Sequence, residues 1–577
     1  MDALTAWALA ASKWILPVLA LWLLGRCVRS MLRERCEPEI WGYLEAPDGS
    51  RAALKHWECI IGRSKSCDVV VDRPAVARTH AVLLRGDRGS WTLYDLRTAG
   101  GTQVGALRDE GGGLAVRDGD TLFFADVGMT FHDLNDAQTE ENEIARTAPG
   151  RRVSQGVTLL ILTVFQALVA LQFTAVLTDR PRLDAVLGFA ALAALEWCLY
   201  LSMRAVDLSG FEPETLAFFL CTLGLSVCAT SAPEGMLKQL VLLFAGIALY
   251  LFLGWWLRDL RRTKAVRWLL AAAALGFLAL NVVAGTVSYG AMNWLSIGGV
   301  TLQPSEFVKV AYVYVGAATL DRLFRHRNLF LFIAFSAICV GALALMGDFG
   351  TALIFFATFL VISFLRSGNF ATLALALAGA AFAVFLILTV KPYIAQRFAA
   401  WGHVWDDPYG AGWQQTRALS AAASGGLTGV GAGRGWLHTI FAADTDLVFC
   451  LLCEEFGLIV ALTAVLALVV IAFFAVRSAE AGRSSYYVIA ACAAASMMLV
   501  QLALNVFGST DLLPFTGVTF PFVSRGGSSL ISCWALLAFL KAADTRRDAS
   551  FSVRRRRFAH AAPEEAVDEG GEEAAET

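Results

Sequence analysis

Apolar and polar positions divide this chain into three zones. The first is a single apolar run, Ala6–Leu24, followed at once by Arg26, Arg29, Arg33 and Arg35. A run of about 20 apolar residues spans a bilayer, and a cleaved leader carries its positive charge ahead of the apolar run, not behind it. Residues 1–35 are therefore expected to be a retained membrane anchor, with the amino terminus outside and the next segment in the cytoplasm. In residues 36–135, short β-rich runs (Trp57–Ile61, Asp68–Val71, Trp91–Leu96 and Thr121–Ala125) are separated by Gly/Asp turns. That spacing predicts a small all-β sandwich. Residues 136–154 read as a polar linker.

The third zone, 155–541, is a multi-span core. Twelve apolar segments are expected, at 155–177, 183–203, 212–231, 235–257, 268–288, 305–320, 328–346, 350–365, 370–390, 447–476, 485–508 and 518–540. The positive-inside rule tests this count. If the sandwich is cytoplasmic, even-numbered spans end inside, and they end at Arg204, at Arg258–Arg267, at Arg322–Arg327, at Arg366, at Arg477 and Arg483, and at Lys541–Arg547. The loop 287–304 holds no Lys or Arg, while Arg180 and Arg182 break the parity. The loop 391–446 thus belongs outside. Residues 542–577, with Arg554–Arg557 and then an acidic run, read as a disordered cytoplasmic tail. The expected fold is an all-α polytopic membrane protein, about 12 spans plus one N-terminal anchor, carrying a cytoplasmic all-β sandwich.

Composition agrees. The 577 residues are 57% hydrophobic and 17% charged, against roughly 25% charged in soluble domains. A formal net charge of −2 gives no reason to expect a nucleic-acid partner. The 12 cysteines form no paired framework, and Cys450-x-x-Cys453, alone in an apolar run, reads as two small hydrophobes rather than a metal or redox site.

The sandwich carries Ile61-Gly62-Arg63-Ser64, Asp68–Asp72, Arg78-Thr79-His80-Ala81, Asp95-Leu96 and Gly101-Thr102. These strings resemble a forkhead-associated (FHA) domain, a phosphothreonine-peptide binder. The resemblance implies that Arg63 faces a phosphate, which needs a guanidinium plus hydroxyl and amide donors, and Arg78 and Thr79 are candidates to substitute in part for donors missing here; His80 matches a structural histidine. The family's serine before Arg78 is Ala77, and its asparagine before the Gly-Thr is Gly100. With a phosphate donor and a peptide clamp gone, docking of a cytoplasmic protein partner is favoured over authentic phosphothreonine reading.

In the core, Asn293–Gly298 leads into Gln303-Pro304-Ser305-Glu306-Phe307-Val308-Lys309. Glu306 and Lys309 are three apart at a helix start, so they share a face and can pair. Then come Gly347–Ala352 with Asp348, the glycine-rich Gly425–Gly431, Thr445-Asp446-Leu447 with Glu454-Glu455-Phe456-Gly457, and Pro514–Gly517 with Pro521–Ser529. In this order the strings resemble the shape, elongation, division and sporulation (SEDS) family, the RodA/FtsW/SpoVE kind of peptidoglycan glycosyltransferase. The resemblance implies polymerisation of lipid II into glycan strands, in complex with a class B penicillin-binding protein. It aligns the family's catalytic aspartate on Asp446, and it places Glu306, Lys309 and Gln303 at a central cavity. Departures are Ala442-Ala443 near an absent Pro-Glu, Leu447 for an aromatic, Arg525 for the tyrosine of a Ser-Tyr-Gly-Gly-Ser string, and five spans before Trp294 where three are common.

Such chemistry needs a base for the acceptor hydroxyl, charge to offset the departing diphosphate, and exclusion of water. Asp446 is expected where the outer loop enters a span, a boundary at which desolvation raises a carboxyl pKa towards that of a base. Its other reading is a carboxylate favouring a helix N-terminus. Glu306 and Lys309 read equally well as a structural buried pair. Asp348 and Glu455 are expected to orient partners in the cavity rather than react, and Glu196 to make a packed hydrogen bond. Lys309, Arg397, Arg417 and Arg434 are candidate diphosphate contacts, the arginines by outer-loop location alone. A divalent cation (Mg or Mn) between the diphosphate and a carboxylate is compatible with the chain, which shows no ligand set for one. Rival readings are a flippase for lipid-linked precursors, although the internal repeats common in transporters are absent, and a non-catalytic scaffold recruited through the FHA-like module.

Overall fold

The computed structural model describes the chain except residues 1–2, 34–37, 143–152, 321–325, 382–400 and 552–577, and positions 66, 87–88, 136, 140, 209, 289–290, 298–299, 368–369, 371–372, 375–376, 380 and 547–548. Most of the expected linker, most of the ninth span at 370–390, the Arg554–Arg557 cluster and Arg397 therefore lie outside the described residues.

The expected anchor forms helix α1 (Ala3–Arg33), which continues through Arg26, Arg29 and Arg33. The sandwich pairs a six-stranded sheet with a five-stranded one. The first has order β2-β1-β11-β10-β7-β8, from strands Gly42–Glu45 (β1), Arg51–Leu54 (β2), Thr102–Val104 (β7), Leu107–Arg108 (β8), Thr121–Phe124 (β10) and Val127–Asp133 (β11). The second has order β4-β3-β5-β6-β9, from Glu58–Gly62 (β3), Val69–Val70 (β4), Ala81–Arg85 (β5), Trp91–Asp95 (β6) and Leu114–Val116 (β9). Alternation sends Cys59 and Ile61 of β3, Leu83 of β5, and Trp91 and Leu93 of β6 inward, onto Leu122, Phe124 and Phe131. Gly62 has to be glycine because a Cβ there would come within 2.4 Å of the Arg78 carbonyl oxygen.

The core helices are α2 (Gln155–Val176), α3 (Asp179–Ala205), α4 (Glu212–Ser231), α5 (Met236–Trp256), a short α6 (Leu260–Ala265), α7 (Arg267–Ala284), α8 (Pro304–Leu320), α9 (His326–Met346), α10 (Phe349–Ser367), α11 (Trp413–Gly425) in the long loop, α12 (Val448–Glu480), α13 (Ser485–Ser509) and α14 (Gly527–Ala543). Among the described residues nine helices, α1 included, are long and apolar enough to cross a membrane, and α10 and α14 carry shorter apolar stretches. Helix α4 is the buried centre of the bundle.

Three features differ from expectation. The lysine-free loop after α7 folds into an antiparallel sheet of Thr286–Ser288, Ala291–Ile297 and Val300–Leu302. The last span begins at Gly527 rather than 518, because Phe520 N–H donates to Ser524 Oγ (2.7 Å) within a non-helical turn that includes Pro521. Residues 544–546 and 549–551, expected in a disordered tail, pack against the bundle. Arg546 is buried between Glu212 (2.9 Å) and Asp544 (2.8 Å), Lys541 pairs with Glu214 (3.1 Å), and Phe551 stacks edge-on against Tyr250. Charges removed from water persist when paired in this way.

The sandwich is seated on the same end of the bundle as that cluster. Its β2–β3 turn meets the α12–α13 turn: Trp57 N–H donates to the Arg483 carbonyl (2.6 Å) and His56 Nδ1 lies 2.6 Å from the Gly482 carbonyl. The Glu58 carboxylate accepts from Ser484 Oγ and Ser485 N–H (both 2.9 Å), satisfying a free donor at the start of α13. Arg483 grips Glu39 through two bonds (2.6 and 2.8 Å), and the Trp57 ring packs on Tyr487.

Candidate active site

A cavity of about 1910 Å³ opens among α8, α9, α10, the 286–302 sheet, the long loop and residues 513–529. Asn293, Trp294, Gln303, Glu306, Lys309, Asp348, Asp444, Asp446, Thr519 and Arg525 line it. Five sequence-predicted residues thus meet in one space: Asp446, Glu306, Lys309, Gln303 and Asp348.

Asp446 is half-buried, two residues before the first residue of α12. Its loop is held from two directions. From α13, the Asn505 side-chain amide donates to the Asp446 carbonyl (3.0 Å) and the Val518 carbonyl (2.7 Å). From the segment before α14, Ser524 Oγ donates to the Thr445 carbonyl (2.6 Å), Arg525 N–H to the Asp444 carbonyl (2.8 Å), and Arg525 Nη1 to Asp444 Oδ2 (2.6 Å). Gly517, at φ 67°, leaves room for the carboxylate, since a Cβ there would sit 3.1 Å from Asp446 Oδ2.

Glu306 and Lys309, on the first turns of α8, form the expected pair at 2.7 Å with both side chains buried. The pair continues into a network. Lys309 Nζ donates to Gln501 Oε1 (2.8 Å), Gln501 Nε2 to Thr519 Oγ1 (2.8 Å), Thr519 Oγ1 meets Ser529 Oγ (3.0 Å), and Ser532 Oγ donates to Glu306 (2.6 Å). Gln303 N–H donates to Ser528 Oγ (3.2 Å). Asp348 caps α10 by accepting from Thr351 N–H (3.0 Å), and its burial raises the carboxyl above the ordinary carboxylate range.

Glu455 does not join them. It lies away from the cavity lining, on α12, where it accepts from Thr230 Oγ1 of α4 (3.0 Å). There α12 is broken at Gly457 (φ 84°), and the glycine-rich string mends the break. Leu458 and Ile459 N–H donate to the Gly426 and Leu427 carbonyls (2.9 and 3.3 Å), while Val430 and Gly431 N–H donate to the Glu454 and Glu455 carbonyls (both 2.9 Å). The glycines permit this insertion: a Cβ at Gly425 or Gly429 would come within 1.9 or 2.2 Å of the helix's carbonyl oxygens. The string is a helix splice, with Glu454 also accepting from Trp436 and Leu437 N–H (2.8 and 3.0 Å).

Of the loop arginines, Arg417 stacks over Trp413 (4.2 Å) and Tyr409, and Arg434 lies near Lys13 of α1; neither lines the cavity. Glu196 makes its packed hydrogen bonds with Gln166 (2.9 Å) and Thr163 (3.2 Å). Cys450 and Cys453 are buried free thiols. Among the described residues no group of three or more His, Cys, Asp or Glu side chains could hold a metal ion. Sequence reasoning missed Gln501, Asn505, Asp444 and Ser532. The first two are polar residues in an apolar run, the one signal that could have found them.

In the sandwich, Arg63, Arg78 and Thr79 are exposed. His80 is buried and structural: Ala77 N–H donates to its Nδ1 (3.1 Å), leaving Nε2 to donate to the Gly101 carbonyl (3.0 Å). A Cβ on Gly100 would lie 2.6 Å from that of Ala125, and the Arg108 guanidinium packs against Gly101.

The fold and the cavity define a polytopic membrane protein that buries a polar network beneath an aspartate-bearing loop and carries an FHA-like domain at the opposite end. Residues 220–549 match the FtsW/RodA/SpoVE family, described as cell cycle proteins, and residues 59–125 match the FHA domain. The chain belongs to the FtsW/RodA/SpoVE family. It is 32% identical over 330 residues to the peptidoglycan glycosyltransferase RodA of Mycobacterium tuberculosis H37Rv, covering 54% of this chain and 69% of that one. It is 32% identical over 258 residues to stage V sporulation protein E of Bacillus subtilis 168, covering 43% and 69%. A solved chain from a peptidoglycan synthase complex that coordinates polymerization and crosslinking superposes with a TM-score of 0.50 at 26% identity, covering 58% of this chain and 96% of that one.

Proposed function

We propose that this chain is a membrane peptidoglycan glycosyltransferase that polymerises lipid II into glycan strands at the outer face of the membrane. The observation that carries the reading is the meeting of Asp446 with the Glu306–Lys309 network in one large cavity, in a chain whose relatives bear that activity in their names. In the step, a sugar hydroxyl of the acceptor attacks the anomeric carbon of the donor. The new C–O bond forms as the bond to the diphosphate breaks, the lipid diphosphate leaves with the electron pair, and Asp446 takes the hydroxyl proton. Asn505, Ser524 and Arg525 hold the Asp446 loop in place, so little reorganisation accompanies proton transfer.

The partner proposed is a class B penicillin-binding protein, by analogy with the synthase complex. The proposed topology puts the FHA-like domain and residues 542–577 in the cytoplasm and the loop 391–446 outside. Its support is the charge parity of the spans and the seating of the sandwich at the end of α13 away from Asn505. In intact cells, an impermeant thiol reagent should label Asp406→Cys, whose side chain is 80% exposed, and spare Ser90→Cys in the sandwich. The reverse pattern would put Asp446 on the wrong side of the membrane. Purified protein given lipid II and no other polymerase should form glycan strands. A flippase would move the lipid without elongating it, and a scaffold would do neither.

A further inference from the structure

We propose that Arg525 is the anion clamp of the cavity and takes the diphosphate of the lipid-linked substrate. The proposal rests on the reading of the cavity as the seat of a lipid-diphosphate reaction. Arg525 stands where the family resemblance leads one to expect a tyrosine.

The charges on the cavity wall carry the argument. Among the described residues four carboxylates line it, Glu306, Asp348, Asp444 and Asp446, against two cations, Lys309 and Arg525. A diphosphate entering such a wall is repelled unless a cation can reach it. Lys309 cannot serve freely: its side chain is 2% exposed and committed to Glu306 and Gln501. Among the described lining residues that leaves Arg525, whose side chain is 43% exposed.

The guanidinium is built to do this. One donor, Nη1, is spent on Asp444 Oδ2 at 2.6 Å. A guanidinium has five donors in a planar fork, so it can hold a carboxylate on one edge and a phosphate on another. Asp444, 18% exposed, therefore aims the fork rather than exhausting it. The clamp is also mounted on the reacting loop, because the Arg525 and Ser524 bonds to Asp444 and Thr445 lie within two residues of Asp446. A diphosphate seated on Arg525 is thereby registered against Asp446.

The test measures binding without turnover. Full-length protein in nanodiscs is titrated with geranylgeranyl diphosphate and with geranylgeraniol, in the wild type and in Arg525→Gln, Arg525→Lys, Asp444→Asn and Asp446→Asn. The wild type should prefer the diphosphate by roughly tenfold or more, the size of a lost charged hydrogen bond. Arg525→Gln should lose that preference, Arg525→Lys and Asp444→Asn should each keep part of it, and Asp446→Asn should keep most. In the wild type, the diphosphate but not the alcohol should slow phenylglyoxal modification of Arg525, a readout that holds even if Arg525→Gln does not fold.

No preference in the wild type, an unchanged preference in Arg525→Gln, or an equal loss in Asp444→Asn would each overturn the proposal; the last would reduce Arg525 to a staple for the loop. An Arg525-dependent preference in a protein that makes no glycan strands would instead sink the proposed function and leave the clamp standing.

Discussion

Two regions of this chain place arginine where a phosphate is expected, and they handle it in opposite ways. In the sandwich, Arg63, Arg78 and Thr79 stand exposed on loops, but Ala77 offers no hydroxyl and Gly100 no side-chain amide. Nor is there room to add one at residue 100, where Ala125 crowds the backbone. In the cavity, Arg525 is anchored by Asp444 and backed by a hydrogen-bonded loop. The difference teaches that an arginine alone does not make an anion site. A fork held by a carboxylate beside a low-dielectric wall binds at little entropic cost, whereas a free one on a loop has to be ordered first.

The largest effect expected short of chemistry lies on the cavity side. Lys309→Met leaves Glu306 buried without its partner, which typically destabilises by about 3–5 kcal/mol. Thermal unfolding in detergent should show this, and the double variant Glu306→Gln, Lys309→Met should recover most of the loss. If the single variant is as stable as the parent, the pair is not the structural centre of the network.

A smaller effect is expected where the sandwich docks. Glu58→Ala removes the carboxylate that accepts from Ser484 and Ser485, so the seating should weaken by about 2 kcal/mol. Limited proteolysis should then cut residues 136–154 faster. Unchanged cleavage would mean that Trp57 and Arg483 suffice to hold the domain.

The smallest effect belongs to the phosphopeptide loops. The unaltered domain should bind phosphothreonine peptides weakly, and Ala77→Ser should tighten binding by roughly tenfold through one restored hydrogen bond. Gly100→Asn should give no gain, because its Cβ meets Ala125. Calorimetry on the full chain decides it. Micromolar, Arg63-dependent binding by the wild type would erase the contrast between the two regions.

Much of this was legible in the chain because it depends on local pattern. The sandwich strands follow period-two alternation, as in β3, and the Glu306–Lys309 pair follows from spacing of three on a helix. What stayed hidden depends on residues far apart in sequence. Arg525 and Asp444 are separated by 81 positions, and Lys309 and Gln501 by 192. Gly457 sits inside an apolar run that reads as one unbroken span, so the break in α12 is visible only once the glycine-rich string is seen to fill it. Residues 518–526 are apolar enough to pass for the start of a helix, although Pro521 and paired glycines hinted otherwise. Glu455, grouped with the cavity by its motif, faces α4 instead, a matter of helical phase on a broken helix.

The most direct test of the central claim is the rate at which purified Asp446→Asn polymerises lipid II, compared with the unaltered protein in the same membranes. Loss of a general base typically slows a reaction by roughly 10²–10⁴-fold. A fall in that range is expected, with lipid binding intact. Strand formation within about threefold of the parent would show that Asp446 is not the base.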